Sequence, residues 1–307
     1  MTPAPPAPEF ADIPPFTLVQ PAVHTVPFIF NSPHSGSVYP AAFLRASKLD
    51  ERTIRCSEDL FVDDLFADMP SMGAPLLSAN FPRSYLDVNR EPYELDPNMF
   101  DGRLPSYVNI RSIRVAGGLG TIARVVADSQ EIYRARIPVA DALHRIETLY
   151  KPYHRCLRKI IAATHALHRT AFLIDCHSMP SGDGGPRSAH RPDFVIGDRY
   201  GTSCPPELTD IMAARLTDFG YSVSRNKPYA GGFITEHYGR PSSNLHALQL
   251  EINRGLYADE KMMTRNPQFQ TLKDDLNRLF SYVFATIDGS DHSGFYGSDD
   301  PLPLAAE

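Results

Sequence analysis

Cysteine is scarce: Cys56, Cys156, Cys176 and Cys204 are the only four, and no two form a CxxC pair. A chain of this length needs no disulfide staples, so a reducing, cytoplasmic setting is the expectation. No apolar run approaches the ~20 residues that cross a bilayer, which points away from a membrane protein. The opening "MTPAPPAPEFADIPPF" lacks the basic start and apolar stretch of a signal peptide and reads as a proline-rich, extended lead-in. Basic residues are outnumbered, with 30 Lys plus Arg against 36 Asp plus Glu. That balance argues against a nucleic-acid partner, which would favour a basic stripe.

What remains is an ordinary globular composition, 42% hydrophobic and 21% charged, with 28 prolines and 19 glycines that imply many turns. The 307 residues suffice for one large α/β domain or two small ones. There is no internal repeat and no clear boundary, so one domain is expected. The organisation reads as a proline-rich extension over 1–20, a single α/β domain over 21–287 and a polar tail over 288–307. "VPFIF" (26–30) predicts a first core strand, and "GAPLLSA" and "SYLDV" predict two short ones. Helical spacing covers Ala46 to Met69. Residues 93–126, including "VAGGLGT", lack periodicity and suggest a functional loop. A long helical segment covers 128–168, with Pro138 and Pro152 marking starts or kinks. "TAFLID" (170–175) is the clearest buried strand, and "DFVIGD", "YSVSRN", "GGFITEH" and "LHALQLEIN" supply four more. Alternating strands and helices predict a mostly parallel or mixed sheet covered on both faces.

The polar residues fall on this map with a regularity. His34 follows "VPFIF"; Arg83, Asn89 and Arg90 bracket "SYLDV"; His177 lies two residues past "AFLID"; Glu251 sits near the end of "LHALQLEIN". In open α/β sheets, ligands bind beyond the carboxyl ends of the strands. Two histidines and one carboxylate make the ligand set of a catalytic zinc with an open position for water. A separate acid is then needed to move the proton. Asp175 could orient the His177 ring. A Glu in an apolar strand needs a partner, which makes Glu251 informative. The acidic ligand is ambiguous by periodicity, since both Glu58 and Asp59 fall near the buried stripe of "CSEDLFVDDLF".

Taken together, "SPHSG", "SEDLFVDDLF", "PRSYLDVNRE", "YKPYH", "IDCHSM", "NKPYAGGFITEHYG" and "ALQLEINRGLY", in that order, resemble the N-formylglutamate amidohydrolase family, relatives of the zinc carboxypeptidases and aspartoacylases. The resemblance runs from about residue 27 to about residue 260. It implies a carboxypeptidase-like (phosphorylase/hydrolase-like) three-layer α/β sandwich with a mixed central sheet of about eight strands. It implies one Zn²⁺ per chain held by His34, Asp59 and His177, other divalent ions such as Co²⁺ or Ni²⁺ fitting the same ligands. Glu251 becomes the general base and acid. Asn89 and Arg90, with Arg83 close by, bind the substrate carboxylate. The implied partner is a small N-acyl amino acid, and the implied reaction releases formate from a formamide.

Two residues depart from the family pattern. Glu58 stands where a small residue is expected before the metal aspartate, and Glu236 stands where a basic residue would suit a dicarboxylic substrate. Arg83, Arg111, Arg114 or Arg191 could take that substrate's second carboxylate. A metal-dependent hydrolase of another N-acyl amino acid or of a peptide bond is the main alternative. A serine hydrolase using Ser35 or Ser178 lacks the expected G-x-S-x-G elbow. A non-catalytic binding protein would have lost a ligand or the base, and none is missing.

Overall fold

The computed structural model describes residues 14–126, 129–182 and 191–289. The lead-in as far as residue 13 and the tail from residue 290 lie outside the described residues. Eleven strands occur in chain order among the described residues: β1 (Phe16–Val19), β2 (Phe28–Ser32), β3 (Leu76–Ala79), β4 (Phe100–Asp101), β5 (Ile137–Pro138), β6 (Ala171–Met179), β7 (Phe194–Gly197), β8 (Val223–Arg225), β9 (Leu245–Asn253), β10 (Ala258–Asp259) and β11 (Thr264–Arg265). The helices are α1 (Ala41–Ala46), α2 (Glu51–Arg55), α3 (Val62–Leu65), α4 (Ile113–Ala116), α5 (Val139–Arg145), α6 (Lys151–His168), α7 (Pro206–Asp218), α8 (Phe233–Tyr238) and α9 (Phe269–Gly289). Seven strands form one sheet in the order β1-β3-β2-β6-β9-β7-β8. It is mixed: β2 and β6, β6 and β9, and β7 and β8 pair in parallel, whereas β7 runs against β9. Among the described residues no helix is long and apolar enough to cross a membrane.

The chain divides into two compact units. One takes in residues up to Thr17, Pro33–Asp59 and Leu77–Leu157; the other takes in Leu18–Ser32, Leu60–Leu76 and the chain from Arg158 on. The second unit has the large apolar core. Even-numbered residues of three strands enter it: Phe28 and Phe30 from β2, Phe172, Ile174 and Cys176 from β6, and Leu248, Leu250 and Ile252 from β9. This period of two is what a pleated strand imposes. Phe30 packs edge-on against Phe280 at 4.7 Å between ring centroids and lies 5.6 Å from Phe66. In the first unit a buried cation organises the aromatics. The Arg145 guanidinium lies 3.8 Å from the Tyr85 ring centroid and donates to the Tyr85 carbonyl and to Tyr133 Oη at 3.1 and 2.8 Å.

Several elements differ from the sequence expectation, each for a local reason. "SYLDV" is a turn, because the Pro82 carbonyl accepts from the Tyr85 and Leu86 amides at 2.9 and 3.3 Å. "GGFITEH" becomes α8. Its β-branched residues mimic a strand, but Ile234 and Tyr238, four apart, are buried together with Thr235 on one helical face. Gly231 turns the chain at φ +120°, and the Gly232 amide donates to Gln249 Oε1 at 2.7 Å. The helical run over 46–69 is broken into α2 and α3, with Phe61 in the left-handed region at φ 57° before α3. The segment over 128–168 starts as a helix only at Val139, after Pro138. A π-turn over Ile146–Tyr150 precedes Pro152. Widening there accommodates a ring that would clash with the carbonyl four residues back.

Phe30→Ala is expected to cost about 3–5 kcal/mol of folding free energy, as for other fully buried aromatic truncations. Urea unfolding measures it, and a loss under 1 kcal/mol would show that this core can close over the gap.

Candidate active site

The odd-numbered residues of the same three strands face away from the apolar core. Register sets Asn31 beside Asp175 and Asp175 beside Gln249; two residues on, it sets His177 beside Glu251. Four polar side chains thus line one face of β6 and β9 at their carboxyl ends. All of them are buried, so each needs a partner. Asp175 Oδ2 takes His177 Nε2 at 2.9 Å, and Asp175 Oδ1 accepts from Asn31 Nδ2 at 2.7 Å. Glu251 Oε1 accepts from Gln249 Nε2 at 2.9 Å. Asp175 is therefore the partner of the His177 ring, and Asn31 and Gln249 are members that sequence reasoning passed over.

His34 lies two residues beyond β2, in a loop that closes onto the segment carrying Asp59: the Asp59 amide donates to the His34 carbonyl at 3.0 Å. Its Nε2 lies 2.7 Å from Asp87 Oδ1, and its Nδ1 lies 3.5 Å from Asp59 Oδ2. Asp87, which the sequence reading placed inside a strand, is the junction of this network. Oδ1 also accepts the Asn89 amide at 2.8 Å, and Oδ2 accepts from Arg83 Nη2 at 2.9 Å with Arg90 Nη2 at 3.7 Å. Burial alone would raise the Asp87 carboxyl, but Arg90, His34 and Arg83 hold it well below the usual carboxylate range. Arg90 is fixed in turn by Nε to the Leu119 carbonyl at 2.9 Å and Nη1 to the Asn89 carbonyl at 2.8 Å. Its own carbonyl accepts from Tyr150 Oη at 2.7 Å.

His34, Asp59 and His177 each offer one ligand atom, and these atoms lie within 4.8 Å of one another. Glu58 is not in the group. It is held by Arg55 through Nε and Nη2 at 2.9 and 3.1 Å and accepts from Tyr39 Oη at 2.6 Å. The charge it adds beside Asp59 is therefore absorbed locally. The donor set suits a metal. Each histidine sets Nε2 against a buried carboxylate, which makes Nε2 the protonated nitrogen and leaves the Nδ1 lone pair as the donor.

Other residues raised by the sequence, and two further histidines, have partners of their own. Glu236 is exposed and pairs with Arg199 at 2.8 Å, and Arg191 donates to the Pro180 carbonyl at 2.8 Å. Ser178 Oγ accepts from Arg254 Nε at 2.9 Å, the geometry of a structural hydroxyl. His237 stacks on Phe233 at 4.9 Å between centroids. His246 stacks on Phe172 at 4.6 Å, on the core side of the sheet.

Comparison with known proteins shows the family to which the chain belongs. A family model described as N-formylglutamate amidohydrolase matches residues 26–258. N-formylglutamate deformylase of Pseudomonas aeruginosa is 30% identical over 239 residues, spanning 77% of this chain and 84% of that protein. N-formylglutamate deformylase of Pseudomonas putida is 26% identical over 238 residues, spanning 76% of this chain and 83% of its own length. The crystal structure of N-formylglutamate amidohydrolase from Ralstonia eutropha superposes with a TM-score of 0.84 at 35% identity, over 90% of this chain and 99% of that one.

His246 gives a pH signature separate from the metal-ligand group. Burial pushes it down to about 4, with a smaller push from His165. An unfolded chain protonates the ring near pH 6.5, so acid favours unfolding. The stability held by the neutral ring is complete above pH 6.5 and is lost as the pH falls toward 4, by up to about 3 kcal/mol. His246→Phe is expected to flatten urea-unfolding free energy across pH 6.5 to 4.5. An unchanged slope would exclude His246 as its source.

Proposed function

The chain belongs to the N-formylglutamate amidohydrolase family and is a hydrolase of an amide bond, and we propose that its substrate is N-formyl-L-glutamate and its cofactor one zinc ion. The observation that carries this reading is the His34–Asp59–His177 group with both imidazoles braced by carboxylates. Those three residues would hold the ion. Two neutral imidazoles and a carboxylate suit zinc, and Co²⁺ or Ni²⁺ fit the same donors. When bound, such an ion polarises a carbonyl and lowers the pKa of a water to about 7.

The protein's own groups divide the rest of the work. Asp87 and Asp175 fix the imidazole tautomers. Glu251, beside His177 in the strand register and anchored through Oε1 by Gln249, takes the proton of the attacking water and passes it to the departing amine. Asn89 and Arg90, with Arg83, bind the substrate's α-carboxylate, a task suited to a planar fork of donors. Water oxygen joins the formyl carbon, the C–N bond breaks, and formate and L-glutamate leave.

The deciding experiment is formate release from N-formyl-L-glutamate by zinc-loaded protein beside an EDTA-stripped sample. Chelator-sensitive formate is expected. Protein that holds zinc but releases none would transfer the reading to another N-acyl amino acid. Glu251→Gln should retain zinc while kcat falls by about 10²–10⁴-fold; a near-normal rate removes Glu251 from the proton transfer. Asp87→Ala should weaken zinc about 10–100-fold in competition with a chelating dye, the scale set by loss of a ligand's hydrogen-bond partner. Unchanged affinity would deny Asp87 that role.

A further inference from the structure

The irregular "VAGGLGT" strap (115–121) and the arginine before it have no part in the reaction above, yet they are built into the arginine cluster. The Leu119 amide donates to the Arg114 carbonyl at 2.8 Å while the Leu119 carbonyl accepts Arg90 Nε at 2.9 Å. One backbone residue thus ties the two arginines together. Thr121 repeats the pattern: its amide donates to the Glu94 carbonyl and its carbonyl accepts the Asp87 amide, both at 2.8 Å. A Cβ on Gly120 would lie 2.2 Å from the Glu94 carbonyl oxygen, so only glycine permits this approach.

Within the cluster the three guanidinium groups are spent differently. Arg83 is bonded to Asp87 at 2.9 Å, and Arg90 donates to two carbonyls. Arg114 Nη1 lies 3.7 Å from Glu94 Oε2, too far for a hydrogen bond, and its guanidinium donates none among the described residues. α4 also inverts the usual burial, with Ile113 89% exposed while the Arg114 side chain is 30% exposed. Burial lowers the hold of Arg90 on its proton; Asp87 and, less strongly, Glu94 restore part of it, and the Arg83 and Arg114 charges work against it. Three guanidinium groups thus face two carboxylates, Asp87 and Glu94; among the described residues Arg90 keeps Nη2 without a hydrogen bond, and Arg114 keeps its whole fork.

We propose that Arg114 receives the side-chain carboxylate of an acidic N-acyl amino acid, leaving Arg90 for the α-carboxylate. This rests on the reading of Arg90 given above, and it makes Arg114 the residue that separates dicarboxylic from neutral substrates. Glu94, 3.7 Å from Nη1, leaves the fork able to meet a carboxylate with two donors at once.

The test compares kcat/KM for N-formyl-L-glutamate and N-formyl-L-norvaline in wild type, Arg114→Ala and Arg114→Lys. It also measures inhibition by glutarate and butyrate. Arg114→Ala should lose about 10- to 150-fold on the glutamate derivative, mainly in KM, and less than about threefold on norvaline. Arg114→Lys should recover part of the loss. Glutarate should weaken in parallel and butyrate should not, and retained norvaline turnover reports a folded variant. Equal losses on both substrates, or none, overturn the assignment. Should wild type release no formate from the glutamate derivative, the substrate reading fails, and glutarate against butyrate binding, followed by calorimetry, still decides Arg114.

Discussion

The register between β6 and β9 is the constraint from which the rest follows. These two nine-residue strands pair in parallel over their full length, with one face committed to the apolar core and the other carrying Asp175, His177, Gln249 and Glu251. A slip of one residue would exchange the faces, burying two carboxylates among Leu248, Leu250 and Phe172 and turning the core outward. The hydrophobic effect that stabilises the sheet therefore also positions His177 beside Glu251, with no interaction devoted to that purpose. Gln249 and Asn31 then complete the hydrogen bonding that burial demands.

Buried carboxylates serve two distinct ends. Asp87 and Asp175 hold imidazoles, whereas Glu58 is locked away by Arg55 and Tyr39. The contrast between Glu58 and Asp59, adjacent in sequence, comes from the break between α2 and α3, where the Asp59 amide bonds back to His34 and Phe61 turns left-handed. A carboxylate's role is set by which donors the backbone brings to it.

That distinction explains what could be read from residues alone. "LHALQLEIN" is a strand over the residues its pattern suggested, and "AFLID" announces β6, because long buried parallel strands carry a continuous apolar signature. Residue order in seven short blocks singled out His34, Asp59 and His177, whose ligand atoms lie within 4.8 Å of one another. Asp87 was not, because its partners are defined by a turn at Pro82 that looks like strand alternation, and because His34 lies 53 residues away in sequence. α8 was misread for a related reason: Ile and Thr favour strands, and the Gly231–Gly232 turn that starts a helix there depends on Gln249 from another element. Arg114 stood in the sequence as one of four possible cations, and only the structure shows that Arg83 and Arg191 are hydrogen-bonded while Arg114 is held no closer than 3.7 Å by Glu94.

The antiparallel placement of β7 has its own consequence. Because β7 and β8 run against β9, the connections leaving them, at Asp198–Ser203 and Asn226–Gly231, emerge at the sheet edge opposite Glu251. That edge has its own closed polar network, in which Asp198 accepts from Asn226 Nδ2 at 2.7 Å and from Thr209 Oγ1 at 3.2 Å. The two borders are nonetheless joined, because the Gly232 amide that follows the second connection donates to Gln249, which in turn holds Glu251. A loop exchanged at that far border would therefore be felt at Glu251 through a single amide side chain, however distant the two ends of the sheet look in sequence.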